Sequence, residues 1–135
     1  MAIARSMAKR EFVLSCDKQL PPEQQTKFFL IPMSAQVEAE LNDLVSTDSS
    51  AYVEVTEGDR SVKTPIQAGY FEKRLKGVEK CLVGWSNYKD GEGNEIDFAK
   101  HTPEERLALL YPAWVEELAA FIDSMSVPTE AALKN

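Results

Sequence analysis

The chain has 135 residues, 44% of them hydrophobic, enough to bury about two thirds of its unfolded surface as one domain. Its 22 acidic and 15 basic residues leave a formal charge of -7, a field that repels phosphate backbones and anionic lipid, so neither nucleic acid nor membrane is an expected partner. No apolar run approaches the ~20 residues of a membrane span or forms a signal-peptide core, and Cys16 and Cys81 sit in apolar stretches like free thiols, so a reduced, cytoplasmic protein is expected.

Arg5, Lys9 and Arg10 cluster near the start, but three charges on a fraying terminus are too few for a nucleic-acid site. Residues 1–10 are read as a flexible arm. Phe12, Val13 and Leu14 predict a strand within residues 11–17. After the proline-marked turn Leu20-Pro21-Pro22-Glu23, the β-prone run Thr26 to Ile31 predicts a second strand, paired with the first as a hairpin. Pro32 ends it. Ser34 is placed to cap a helix near residues 34–45, with Val37, Leu41, Leu44 and Val45 on its apolar face. Ser46 to Ser50 reads as a loop, Tyr52 to Val55 as a short strand and Glu57-Gly58-Asp59 as a turn.

Thr64-Pro65-Ile66-Gln67 has the form of a capping box and predicts a long helix near residues 65–82, weakened by Gly69 and Gly77. Its apolar positions are Ile66, Tyr70, Phe71, Leu75, Val78 and Leu82. Lys89-Asp90-Gly91-Glu92-Gly93-Asn94 suits a hairpin loop joining Trp85-Ser86-Asn87-Tyr88 to Glu95-Ile96-Asp97-Phe98. A second capping box, Thr102-Pro103-Glu104-Glu105, opens a helical pattern through Leu107, Leu110, Tyr111, Trp114, Leu118, Phe121, Ile122 and Met125, which Pro112 should kink or divide. Residues 127–135 read as a loosely held tail.

These elements predict an α+β fold, a mainly helical single domain over residues 11–126. Short antiparallel strands stand at its N-terminus and a hairpin precedes the C-terminal helices.

The pattern holds no glycine-rich phosphate loop and no nucleophile elbow. His101, the only histidine, directly precedes a helix cap, a poor place for a sole general base. Asp90, Glu92 and Asn94 place oxygens at alternating positions as calcium loops do. Glu95, however, stands where that loop needs glycine, and His101 where it needs a bidentate glutamate. Cys16, Cys81 and His101 lack the spacing and the fourth ligand of a zinc site. The adjacent acids Glu104-Glu105 and Glu116-Glu117 diverge on a helix and read as helix-start and solvent-face charges. Thus no catalytic, cofactor or metal site is expected, and an enzyme is the least expected class. Among the aromatics Trp85, Tyr88, Phe98, Tyr111, Trp114 and Phe121, core packing is the ordinary role. The last helix carries a surplus of apolar positions, and Leu110, Trp114, Leu118, Phe121, Ile122 and Met125 are the candidate partner-binding residues.

Three segments together resemble the tail assembly chaperones of long-tailed, siphovirus-type phages. Thr26-Lys27-Phe28-Phe29-Leu30-Ile31-Pro32-Met33-Ser34-Ala35 is similar to the family's strand, proline and Ser/Thr entry into a Glu- and Leu-rich helix, here continued by Glu38, Glu40 and Leu41. Residues 82–98, from Leu82-Val83-Gly84-Trp85 through Asp90-Gly91 to Ile96-Asp97-Phe98, resemble its Gly-Trp, acidic-Gly turn and apolar return. Glu130-Ala131-Ala132-Leu133-Lys134-Asn135 resembles a closing segment whose codons often carry a slippery heptamer. Residues 46–64 match nothing in the family. The resemblance implies a non-enzymatic chaperone in the host bacterial cytoplasm, absent from the mature virion. Its implied partner is the tape measure protein, with the tail tube protein as a second candidate. Ribosomal frameshifting near Lys134 is also implied, and homo-oligomerisation is left open. Two other classes compete: a virion structural protein (tail completion or head-tail connector) and a small acidic inhibitor of a host protein. Interleaved charges such as Glu72-Lys73-Arg74 argue against the inhibitor.

Overall fold

The computed structural model describes residues 3–44, 46–58 and 60–127. In chain order the elements are β1 (Arg10–Phe12), β2 (Lys27–Leu30), α1 (Ala35–Asn42), β3 (Ser46–Glu57), β4 (Arg60–Ala68), α2 (Tyr70–Cys81), β5 (Leu82–Ser86), α3 (Pro103–Ala108) and α4 (Pro112–Ser126). The fold is α+β.

Alternation organises the main sheet. In β2, Phe28 and Leu30 face inward and are 0% exposed, while Lys27 and Phe29 are half-buried on the opposite side. The expected pairing of the first two strands is present: β1 runs antiparallel to β2 with Glu11 opposite Phe29 and Phe12 opposite Phe28. Beyond Phe12 the strand is shorter than its apolar run suggests. Buried Leu14 leads into a 3-10 turn at Ser15–Asp17, and a second such turn follows at Pro22–Gln24.

Sequence periodicity does not reveal the third strand. The chain passes without a linker from α2 into β5, where the Leu82 backbone is already extended, and β5 pairs antiparallel with β2 to give the order β1-β2-β5. Leu82, expected at the end of a helix, therefore belongs to the sheet. Its neighbour Trp85 lies opposite Phe28 and is equally part of the core.

The Ser34 cap is realised, its Oγ accepting from the Val37 N–H at 3.2 Å, but α1 ends at Asn42 rather than near residue 45. Val45 and Asp59, expected in the helix and in a turn, lie outside the described residues. The segment that follows departs most from expectation. Tyr52 to Val55 is strand as expected, but in place of the expected loop before it and helix cap after it, residues 46–57 and 60–68 pair as one antiparallel ribbon, with Gly58 at φ 60° in its turn. The apparent capping box at Thr64-Pro65-Ile66-Gln67 is strand, with Pro65 in register with Tyr52. Each strand of a two-stranded ribbon is an edge, where proline's missing N–H is tolerated. The β-branched residues Val62, Thr64 and Ile66 favour extended backbone. Helix α2 starts only after Gly69, whose φ of 88° closes off any helix running through residues 65–82.

Helix α2 lies at the centre of the helical layer, packed against α1, α3 and α4. Gly77 permits this closeness: a Cβ there would stand 3.1 Å from Met33 Cε and 3.8 Å from Leu41 Cδ1. Helix α4 contributes Val115, Leu118, Ala119, Ile122 and Met125 to the same core, and Phe121 stacks on Phe12 with ring centroids 4.8 Å apart. Glu117 extends the join by accepting from the Ser15 N–H at 2.9 Å and from Ser15 Oγ at 3.0 Å.

The hairpin after β5 is present as a loop with a short return. Lys89 bridges Glu95, Asp90 N–H donates to the Asn94 carbonyl at 2.9 Å, and Gly93 takes φ 85°. Past Ile96 the chain enters a 3-10 turn at Phe98–Lys100 rather than a strand. The second capping box is complete. Thr102 Oγ1 accepts from the Glu105 N–H at 3.2 Å, and Glu105 Oε1 accepts from the Thr102 N–H at 2.9 Å. Pro112 divides the last helical pattern as expected, standing at the first position of α4. From residue 128 onward the expected tail lies outside the described residues.

Two outcomes test this architecture. Phe28→Ala removes a ring with no exposed surface and should cost about 3–5 kcal/mol in urea unfolding. The Glu105 carboxyl is held below its ordinary value of 4.5, chiefly by the Thr102 backbone bond. A depressed carboxyl stabilises the fold above its unfolded value and loses that effect as pH falls through its folded value. The α3 cap should therefore loosen below about pH 4.5, seen as a shift of the Thr102 amide resonance, and Glu105→Gln should abolish the transition.

Candidate partner-binding groove

Proline builds the site by interrupting a helix. Helix α3 ends at Ala108 and α4 restarts at Pro112, so Leu109, Leu110 and Tyr111 form a short connection. Leu110 turns inward at 8% exposure, whereas Tyr111 is 67% exposed. Leu109 lies partly open beside it. The Tyr111 ring meets Trp114 edge to face, 4.7 Å between centroids, and Trp114 in turn meets Tyr88 at 6.2 Å. The result is an aromatic ledge.

The opposing wall is the loop after β5. The Tyr88 phenol donates to the Leu109 carbonyl, one of the groups that a helix C-terminus leaves without a partner. Burial, with a smaller contribution from Tyr111, pushes the Tyr88 phenol up to about 12, so it stays a donor at neutral pH. Asn87, at φ 56°, donates from Nδ2 to the Gln25 carbonyl at 3.2 Å, and its N–H donates to Glu95 Oε1 at 3.0 Å. Asp90 Oδ1 accepts from the Glu92 and Asn94 N–H groups at 2.9 and 3.0 Å. This wall is fixed in place by its own hydrogen bonds.

Between ledge and wall lie two open depressions of about 530 Å³ and 360 Å³ that share Tyr88, Lys89 and Trp114. They adjoin at these three residues, and the pair is termed the groove. The larger end is bordered by Leu109, Tyr111 and Asp90, and the smaller by Cys16, Asp17 and Glu23. Glu117 stands beside the smaller end through its bonds to Ser15. Three carboxylates, those of Asp17, Glu23 and Asp90, thus line the groove against one ammonium, that of Lys89.

The candidate residues read from the sequence divide accordingly. Leu110, Leu118, Ile122 and Met125 lie in the core, at 8%, 0%, 1% and 6% exposure, and Phe121 is half-buried against Phe12. The surplus of apolar positions on the last helix is absorbed by the sheet and α2. Of the six, Trp114 and the largely buried Leu110 line the groove, and the residues that accompany them, Leu109 and Tyr111, follow from the break at Pro112. A tyrosine directly before a proline at the first helical position is a cap residue, outside the helix's apolar stripe. That was the available signal.

The other chemistries considered are placed as follows. His101 Nδ1 lies 3.9 Å from Glu105 Oε2, beside the α3 cap. Cys16 is exposed and Cys81 buried, its thiol pushed up to about 11 by burial. Among the described residues no group of three His, Cys, Asp or Glu side chains is placed to hold a metal ion, and no helix is long and apolar enough to cross a membrane. Compared with known proteins, the chain matches no family model, no curated protein and no solved structure.

Tyr111 is a poor structural choice at its own position. It is the N-cap of α4 and makes no side-chain cap bond, where serine would accept from a first-turn N–H. In Tyr111→Ser the gained cap, about 1 kcal/mol, should offset the lost ring contact, leaving urea stability within about 1 kcal/mol of the parent. A much larger loss would make the ring a structural element rather than a surface feature.

Proposed function

We propose that the chain is a phage tail assembly chaperone that binds the tape measure protein and keeps it soluble while the tail tube assembles. The groove across Trp114 is the observation that carries this reading. A tape measure chain presents long helical stripes of apolar residues, and the groove offers an aromatic ledge of matching kind on an acidic protein that resists self-association. The sequence resemblance at residues 26–35 and 82–98 supports the same family. Both segments lie in the structural frame: the first supplies β2 and the α1 cap, the second β5 and the groove's wall. No turnover chemistry enters this role. The site of action is the host cytoplasm, and the protein is absent from the finished particle. A slippery heptamer in the codons around Leu133-Lys134-Asn135 would add a longer product.

The virion-component reading draws on a different feature. The β3–β4 ribbon extends for about 30 Å along nine residues of β4 and belongs to a sheet of its own. Two-stranded ribbons are marginally stable alone in water, and a neighbouring subunit is one source of support.

Co-expression with the tape measure protein of the same genome tests the main reading. The expected result is a soluble complex that co-purifies, with yield falling about tenfold in Tyr111→Asp while the variant's far-UV spectrum stays unchanged. An insoluble, unbound tape measure protein would reject the chaperone role. Detection of the chain in purified tails at ring stoichiometry would then establish the structural one.

A further inference from the structure

The acids around the groove narrow what it accepts, on the premise that the groove is the partner-binding site. We infer that its occupant is an amphipathic helix whose apolar stripe is flanked by lysine or arginine. The ledge of Leu109, Tyr111 and Trp114 is largely apolar, and its two rings, 4.7 Å apart, are spaced by about one turn of a partner helix. Asp17 and Glu23 border one end and Asp90 the other, with Glu117 outside Ser15. A helix lying along the groove presents flanking residues to both ends. Lysines there meet carboxylates, whereas glutamates meet like charge.

The carboxylates differ in what else they hold. Asp17 Oδ2 accepts from the Thr26 N–H at 3.0 Å, Asp90 closes the loop, and Glu117 ties α4 to Ser15. Those three serve the fold as well as the rim. Glu23 is exposed in the Pro22–Gln24 turn, so its charge can be reversed with least structural effect. The wall they border is set by hydrogen bonds between side chains and backbone, so a partner meets the Asp17 and Asp90 charges already in position rather than ordering them on arrival.

Cys16 supplies the readout. It is an exposed thiol in the groove's lining, while Cys81 is buried and serves as an internal control. The probes are two synthetic helical peptides of about 18 residues with the same leucine stripe, one flanked by lysines and one by glutamates. The lysine peptide should protect Cys16 of the full chain from alkylation and shift tryptophan fluorescence, and the glutamate peptide should do neither. Raising salt from about 50 to about 500 mM should weaken the lysine peptide. Glu23→Lys and Tyr111→Ser should each weaken it about tenfold. Equal binding of both peptides, no binding of either, or binding indifferent to Tyr111→Ser would overturn the inference. Tape measure protein solubilised by Tyr111→Ser as well as by the parent would reject the groove and leave the chaperone role standing. Lysine-peptide binding with no tape measure capture would do the reverse.

Discussion

The structure depends on a set of aromatic contacts at the end of β5. Trp85 and Tyr88 both meet Phe28 edge to face, and Trp85 meets Phe98 at 4.9 Å between centroids. Each of the two carries a polar tip that reaches a carbonyl: Trp85 Nε1 donates to Ile96 at 2.8 Å and Tyr88 to Leu109. Such pairs add about 0.5–1.5 kcal/mol each beyond the area they bury, and the polar tips would be costly without partners. One short segment therefore joins the central strand, the loop that follows it and the junction between α3 and α4. Without it, neither wall of the groove has a fixed position.

The surrounding ion pairs contribute less. Arg74 reaches Glu116 between α2 and α4 at 3.2 Å, and Lys27 reaches Glu11 between β2 and β1 at 3.4 Å, but all four side chains are well exposed. Pairs of this kind are worth about 0–1 kcal/mol. Arg106 is better used, its guanidinium 3.6 Å from the Phe98 ring centroid while Nε donates to the Phe98 carbonyl at 3.0 Å. Apolar burial holds the helices to the sheet, and charge is left largely to the surface. That division allows an acidic rim to form at the groove without straining the core.

Local rules account for the features legible in the sequence. Ser34 and Thr102 cap their helices because a hydroxyl after extended backbone reaches the first free N–H groups, whatever lies elsewhere in the chain. Pro112 divides a helix for an equally local reason, and the β-prone run at residues 26–31 is enough to mark β2 as a strand. The capping-box pattern at Thr64-Pro65-Ile66-Gln67 shows where such rules stop. The same four residues suit a helix start or an edge strand, and pairing with residues 46–57 selected the strand. The motif carries no information about a partner strand some fifteen residues earlier.

The sequence by itself determined the α+β class, the helix caps at Ser34 and Thr102, the break at Pro112 and the turn at residues 89–94, the last three set by interactions within a few residues. Tertiary structure alone decided that β5 pairs with β2, that residues 46–57 and 60–68 pair as a ribbon, and which apolar side chains of α4 are covered. Leu118 and Ile122 look no different in the sequence from residues that could bind a partner. Their burial depends on the sheet and α2 meeting that face, whereas Tyr111 stays outside because Pro112 takes it off the helix. Periodicity states which residues share a face, and only the packing of distant elements determines which face remains open.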